Sequence, residues 1–228
     1  ESGATGIPNG GALENQALEP ILSDVEMGHS GRNWADVRTK LQSARPLALA
    51  SNLPADLASA VAGDATYSQL FAAAFGTGDI TAERIAFAIA TYQRTLVPNQ
   101  SAWDRFNAGD VNALTPGQRA GLNTFVAGGS RCNICHAGNQ FTNHIFRNIG
   151  LRPLQEDQGR FEVTGALPDR GRFKTPTLRN VGLKTRFMHT GQLSSLEQVI
   201  DFYRQGNGQV AFPQNRDPLV IGINIPPP

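Results

Sequence analysis

Cys132-Asn133-Ile134-Cys135-His136 sets two thiols at i and i+3 with an imidazole directly behind the second. These are the only two cysteines of the chain, so no disulfide framework and no zinc site of three or four thiolates can be built from it. Two thiols so spaced can add to the two vinyl groups of a haem, and the adjoining histidine is then placed to ligate the iron from the proximal side. The competing readings of the motif fare worse. A thioredoxin-like C-x-x-C sits at a strand-to-helix turn in a βαβ setting, and no such alternation surrounds this one. A zinc site of two cysteines and two histidines needs a later histidine pair at finger spacing, which the chain lacks. The expected cofactor is one covalent haem c.

A chain of 228 residues accommodates one large domain or two small ones, and 40% hydrophobic residues can supply a packed core. It has no apolar run long enough for a membrane span. A net charge of +1 gives no pointer to nucleic acid. The 24 glycines and 14 prolines predict long irregular connections between modest helices. That suits a haem protein, whose cofactor supplies core volume that side chains would otherwise fill. The opening residues Glu1-Ser2-Gly3-Ala4-Thr5-Gly6 have neither the basic nor the apolar segment of a secretion signal. Since haem is normally attached outside the cytoplasm, the expectation is a mature, processed periplasmic protein.

Residues 1–12 read as Gly-rich and irregular. Helices are predicted over 33–44, with Trp34, Val37 and Leu41 at spacings of three and four, then over 55–62 and 67–75, the last ended by Gly76. The clearest runs over 81–96. Thr81 is its N-cap, Glu83 suits the positive end of the dipole, and Ile85, Ala88, Ile89 and Tyr92 form an apolar stripe before Pro98 stops the chain. The polar stretch 98–112 reads as a domain boundary. Thr115, Pro116 and Gln118 then form a capping box opening a helix that carries Leu122 and Phe125, and Gly128-Gly129 leads from it into the haem motif. Little regular structure is predicted over 137–193. A last helix over 195–205 has Ser194 and Glu197 as a capping box and Gly206 as its closing glycine. A cytochrome c domain usually closes with a helix packed across its first one. None is legible after residue 205, so the domain reads as cut short. The expected fold is mainly α: a cytochrome c-like haem domain with long irregular loops over 113–228, preceded over 1–112 by the helical remainder of another haem domain.

Candidates for the second axial ligand are His29, His144 and His189, with Met27 and Met188. Leu196, Val199, Ile200 and Tyr203 recur at i, i+3, i+4 and i+7, so Tyr203 falls on the predicted buried stripe of the last helix. By pattern alone it reads as a core tyrosine whose hydroxyl finds a polar partner. Met188, beside Phe187, reads as packing. Arg147, Arg160, Arg172, Lys174, Arg179, Lys184 and Arg186 make the region after the motif basic, and one or two of them are expected to pair with haem propionates while the rest form a solvated face.

Five segments in order resemble a known family. They are Ser23-Asp24-Val25-Glu26-Met27-Gly28, the helix Ile85-Ala86-Phe87-Ala88-Ile89-Ala90-Thr91-Tyr92-Gln93-Arg94-Thr95-Leu96, the haem motif, Gly171-Arg172-Phe173-Lys174-Thr175-Pro176-Thr177-Leu178-Arg179-Asn180, and Phe187-Met188-His189-Thr190-Gly191. Together they resemble the bacterial di-haem cytochrome c peroxidases and their MauG-like relatives, with Ser23 and Asp24 departing from the usual Asn-Pro of the first segment. The resemblance implies two c-type haems, one reacting with peroxide and one relaying electrons, the motif here being that of the second. It implies that the distal ligand comes from the helix after the segment holding His189: methionine in the typical peroxidases, tyrosine in MauG, and by count Tyr203 here, with Met188 the alternative. It implies that Glu26 is the acid of the peroxide pocket, with Gln16 and Pro20 near the same haem. A glutamate so placed can move a proton between the peroxide oxygens. Without the resemblance Glu26 would read as a solvated surface acid.

Three departures qualify what the resemblance implies. Only one C-x-x-C-H is present, so the peroxide-binding haem belongs to a missing or separate segment. The family's tryptophan between the haems would fall within Glu1 to Gly10, which holds no aromatic residue. Calcium is usual between the haems, held partly by backbone carbonyls, but Lys184 and Arg186 stand in that stretch and weaken a cation site. The expected function is that of a peroxidase-type oxidoreductase, reducing hydrogen peroxide or using it for MauG-like oxidation. Its partner would be a small electron donor, a cytochrome c or cupredoxin, or a protein substrate. A His/Tyr haem has a lower potential than a His/Met one, which leans toward protein oxidation. The alternative is a mono-haem c-type electron carrier without peroxidase activity.

Overall fold

The computed structural model describes residues 11–205, 212–220 and 223–225. The chain is mainly helical and forms two compact units, residues 1–97 and 98–228. The stretch 98–112 therefore lies in the second unit.

In the first unit the order is α1 (Ala12–Leu22), α2 (Trp34–Ser43), α3 (Ala55–Ala60), α4 (Tyr67–Phe75) and α5 (Ala82–Thr95). Local chemistry accounts for most of the boundaries. The Asn33 side chain accepts from the Asp36 amide and the Asp36 side chain accepts from the Asn33 amide, closing a capping box on α2. Thr66 and Gln69 do the same for α4, which Gly76 ends in the left-handed conformation. Thr81 caps α5 as expected. Val37, Phe71, Ile80 and Ile85 form the buried cluster, with Trp34, Leu41, Tyr67, Phe75 and Ile89 packed against it.

The apolar face of α5 differs from the predicted stripe. Ala86 and Ala90 are fully buried, whereas Tyr92 is 65% exposed and Ala88 is also exposed. The reason is α1, which the sequence reading did not anticipate. It packs along α5, with its own Ala17 and Leu18 buried. Ala86 and Ala90, one turn apart, present no side chain beyond a methyl on that face. A second packing surface thus turns the helix away from a single-stripe arrangement. The carboxylate of Glu14, near the start of α1, pairs with Arg94, near the end of α5, at 2.6 Å, so the two helices run antiparallel.

The second unit carries α6 (Ala102–Asn107), α7 (Pro116–Val126), α8 (Cys132–Cys135), α9 (Phe161–Thr164) and α10 (Leu196–Gln205), with single 3-10 turns at 167–169, 181–183 and 218–220. A minimal antiparallel pair joins β1 (Phe146–Arg147) to β2 (Phe173–Lys174), Phe146 opposite Lys174 and Arg147 opposite Phe173. The pairing is extended by the Thr175 amide, which donates to the Ile145 carbonyl at 2.9 Å. Gly159 is obligatory beside this ribbon: its φ is +57°, and a β-carbon there would lie 2.5 Å from the Arg172 carbonyl oxygen. No helix among the described residues is long and apolar enough to cross a membrane.

The start of α10 corrects one expectation. Its capping hydroxyl is that of Ser195, which accepts from the Gln198 amide at 3.2 Å, while the Gln198 side chain reaches back to the Ser194 amide at 2.8 Å. The pair is displaced by one residue from Ser194 and Glu197, because α10 begins at Leu196, which makes Ser195 the N-cap and Gln198 the third helical residue. Gly206 lies outside the described residues.

Candidate functional site

The haem motif is delivered by α7. Thr115 and Gln118 close its capping box and Pro116 occupies its first turn. Beyond its end the buried Ser130 hydroxyl donates to the carbonyls of Phe125, at 3.1 Å, and Ala127, at 3.0 Å, which turns the chain sharply. The Asn224 amide holds the Gly129 carbonyl at 2.9 Å. Arg131 adopts φ +55° and starts the single turn α8, so that Cys132 and Cys135 lie on one face with His136 following.

Both thiols are free and half-buried. Burial pushes both above the ordinary thiol range; for Cys135 the guanidinium of Arg147 opposes this and the carboxylate of Asp217 reinforces it. Burial holds the His136 imidazole below its ordinary value against the carbonyls of Phe141 and Pro176, which favour the charged ring. His136 Nδ1 lies 3.0 Å from the Phe141 carbonyl oxygen. A proton on Nδ1 leaves the Nε2 lone pair for a metal.

Tyr203, on α10, meets the same site. Its hydroxyl is pushed up to about 12, first by burial and then by the negative charge that Cys135 and Cys132 carry when ionised. The phenol is therefore within electrostatic reach of both sulfurs, and its ring contacts Phe202 at 5.2 Å. Ile200, predicted to share the stripe, is 46% exposed. Met188 is half-buried in a left-handed turn at φ +69°, closed by the Gly191 amide on its carbonyl at 3.2 Å. His189 is directed elsewhere: its Nε2 meets Asp157 Oδ2 at 2.7 Å and its ring stacks on Phe173 at 3.8 Å.

Around Cys135 lies a polar pair that sequence reasoning did not single out. Arg147 Nη1 contacts Asp217 Oδ2 at 2.6 Å, with both side chains largely buried. Arg147 stood in the basic pool of candidates, but Asp217 lies 70 residues away in a segment without periodicity, so no sequence signal joins them.

In the first unit Gln16 and Pro20 lie one turn apart on α1, Gln16 exposed and Pro20 half-buried. Residues 23–28 then fold back on the end of that helix. The Met27 amide donates to the Pro20 carbonyl at 3.1 Å and the Gly28 amide to the Ser23 carbonyl at 2.7 Å. Only glycine fits at 28, since a β-carbon there would lie 2.7 Å from the Leu22 carbonyl oxygen. Glu26 sits exposed on this turn. The turn carrying Glu26 thus meets Pro20 at the C-terminal end of α1, while Gln16 lies one turn back toward the middle of the helix.

Comparison with known proteins agrees with this arrangement. The sequence profile of the di-haem cytochrome c peroxidases matches residues 8–112. The chain is 34% identical over 197 residues to methylamine utilization protein MauG of Methylorubrum extorquens, which spans 86% of this chain and 49% of that protein. It is 37% identical over 145 residues to cytochrome c551 peroxidase of Nitrosomonas europaea, 62% of this chain and 43% of that protein. A solved MauG-like protein associated with microbial copper homeostasis superposes with a TM-score of 0.71 at 26% identity, covering 92% of this chain and 63% of that one. The chain belongs to the di-haem cytochrome c peroxidase and MauG family. It spans about half the length of the curated relatives it matches.

The family implies haem c, and the residues present fit it. Two free thiols on one helical turn and an imidazole engaged through Nδ1 form the right donor set. The apolar inventory agrees. Among the described residues of the second unit the buried apolar side chains are Leu114, Phe187 and Val220, against Ala17, Leu18, Val37, Phe71, Ile80, Ile85, Ala86 and Ala90 in the smaller first unit. Side chains alone make a thin core around the motif.

Proposed function

We propose that this chain is the electron-relay portion of a peroxidase-type haem oxidoreductase, with Cys132 and Cys135 as thioether anchors, His136 as proximal ligand and Tyr203 as distal ligand. The observation that carries the reading is the motif itself: two free, half-buried thiols on one helical turn, followed by an imidazole whose Nδ1 lies 3.0 Å from the Phe141 carbonyl oxygen. When bound, haem c supplies a one-electron carrier whose potential follows its axial ligands.

The chain's own residues do the rest. The Phe141 carbonyl holds the Nδ1 proton of His136 and fixes the ring. Tyr203 offers an oxygen that, once deprotonated, favours ferric over ferrous iron, placing this relay at low potential. Glu26, exposed on the turn that Gly28 permits, would take and return a proton between the peroxide oxygens at the family's peroxide-binding haem, for which this sequence has no second C-x-x-C-H. Hydrogen peroxide is the proposed oxidant. The partner is a small electron-donor protein or a protein substrate, and the low-potential ligand favours the latter. The proposed compartment is the periplasm, because haem is normally attached covalently outside the cytoplasm. The calcium that the family implies is disfavoured by the cations of the exposed Lys184 and Arg186 in that stretch, although its backbone carbonyls could still ligate it.

Intact mass and haem content of the native protein, before and after denaturation, test the reading. Haem that stays with residues 132–136 on denaturation supports it, as does a second haem on the remainder of the native molecule. A single haem per complete molecule, with no reaction toward peroxide, would make this an electron carrier instead.

A further inference from the structure

Two carbonyls face the His136 imidazole, those of Phe141 and Pro176, and the one at 3.0 Å from Nδ1 belongs to a strained residue. Phe141 has φ +50°, a conformation that bulky side chains rarely adopt. The strain persists because the turn 137–141 is pinned from outside by the segment 177–179, nearly 40 residues further along. Arg179 Nε and Nη2 both donate to the Asn139 carbonyl, at 2.8 and 2.6 Å. Its Nη1 donates to the Pro98 carbonyl at 2.8 Å and to Asp104 Oδ2 at 2.7 Å. The guanidinium lies 5.1 Å from the Trp103 ring and 5.6 Å from the Phe141 ring, and the two rings meet edge-on at 4.6 Å. Thr177 Oγ1 donates to the next carbonyl, that of Gln140, at 2.5 Å. The Arg179 side chain is 7% exposed, so little water competes for these bonds.

We propose that Arg179 is a positioning residue for His136, acting through the carbonyls of Asn139 and Gln140 to aim the Phe141 carbonyl at His136 Nδ1. The inference rests on the reading of His136 as a haem ligand. A hydrogen bond from Nδ1 gives the imidazole more anionic character and strengthens its donation through Nε2, which favours ferric iron. Loosening the turn weakens that bond and raises the potential. The geometry requires arginine: a lysine keeps the charge beside Asp104 but cannot reach two carbonyls and two ring faces together.

The test uses the haem-loaded native protein and two variants of unchanged charge, Arg179→Lys and Thr177→Val. Both are expected to retain covalent haem, to shift the midpoint potential of this haem upward, more for Arg179→Lys, and to change its ferric low-spin g-values. Thr115→Ala, which removes the cap of α7 and so loosens the same unit without touching the turn, is expected to leave potential and g-values in place. Should Arg179→Lys fail to accumulate, Thr177→Val decides. Full haem content with unaltered potential and g-values in both variants overturns the proposal. If wild-type protein holds no thioether-linked haem, or His136→Ala keeps the wild-type low-spin signal, the ligand reading fails and takes this inference with it.

Discussion

Arg147 Nη1 and Asp217 Oδ2 meet at 2.6 Å beside the Cys135 thiol, joining β1 to a segment 70 residues downstream. The Asp217 amide also donates to the Asn148 carbonyl at 2.8 Å, so the carboxylate is fixed through backbone and side chain together. A guanidinium–carboxylate pair in this position sets two opposite charges beside the thiol with no net charge. Removing one partner strands the other. Arg147→Met is expected to cost about 3 kcal/mol, whereas Arg147→Met combined with Asp217→Leu recovers most of it. Urea unfolding of the haem-loaded single and double variants checks this; additive losses would refute the coupling.

Acid stability should depend on Asp104. The Arg179 guanidinium, then the Ser101 hydroxyl, hold its carboxyl well below the usual carboxylate range. A depressed folded-state value means that the contribution is fully present above the unfolded carboxylate value, near pH 4, and is lost as pH falls through the lower folded one. Asp104→Asn is therefore expected to lower the urea midpoint at pH 7 and to flatten the decline below pH 4. A wild-type slope in the variant would assign the acid limb to other groups.

Gly28 controls the placement of Glu26. In Gly28→Ala the new methyl carbon would start 2.7 Å from a backbone carbonyl oxygen, so the 23–28 turn must move. The expected cost is about 1–3 kcal/mol, the range for overpacking, together with a slower reaction of the native protein with peroxide if Glu26 acts as proposed. Glu26→Gln should slow peroxide turnover by about 100-fold or more, the lower bound for a lost general acid–base, without loss of stability. Stopped-flow mixing with peroxide separates the two effects.

As the proposed distal ligand, Tyr203 would set the relay potential. Tyr203→Met is expected to raise it, since thioether ligation favours ferrous iron relative to an anionic oxygen. Tyr203→Phe should open a position to added cyanide. Spectroelectrochemistry and cyanide titration of the loaded protein check both, and unchanged values would remove Tyr203 from the iron.

Much was legible from local pattern. Thr66, Thr81 and Thr115 cap the helices they were expected to open or that periodicity located, because capping is decided within four residues. The haem motif is likewise self-contained, its chemistry written in five adjacent side chains. Helix α1 was missed, since Gly11 opens it without a side-chain cap and Pro20 lies inside it. That omission misassigned Ala88 and Tyr92 to the buried face of α5, because the partner that buries Ala86 and Ala90 was unknown.

The sequence by itself determined the residue types: two thiols and an imidazole at haem spacing, a tyrosine on a helical stripe, an acid beside a glycine. Short-range rules govern such features, so they survive reading in one dimension. Only the tertiary structure decided which basic residues serve the site. Arg147 finds Asp217, and Arg179 finds Asn139 and Asp104, across 40 to 75 residues of chain. In a region with little regular structure no periodicity encodes those pairings. They follow from the need of buried donors and acceptors for one another once the chain has closed around the motif.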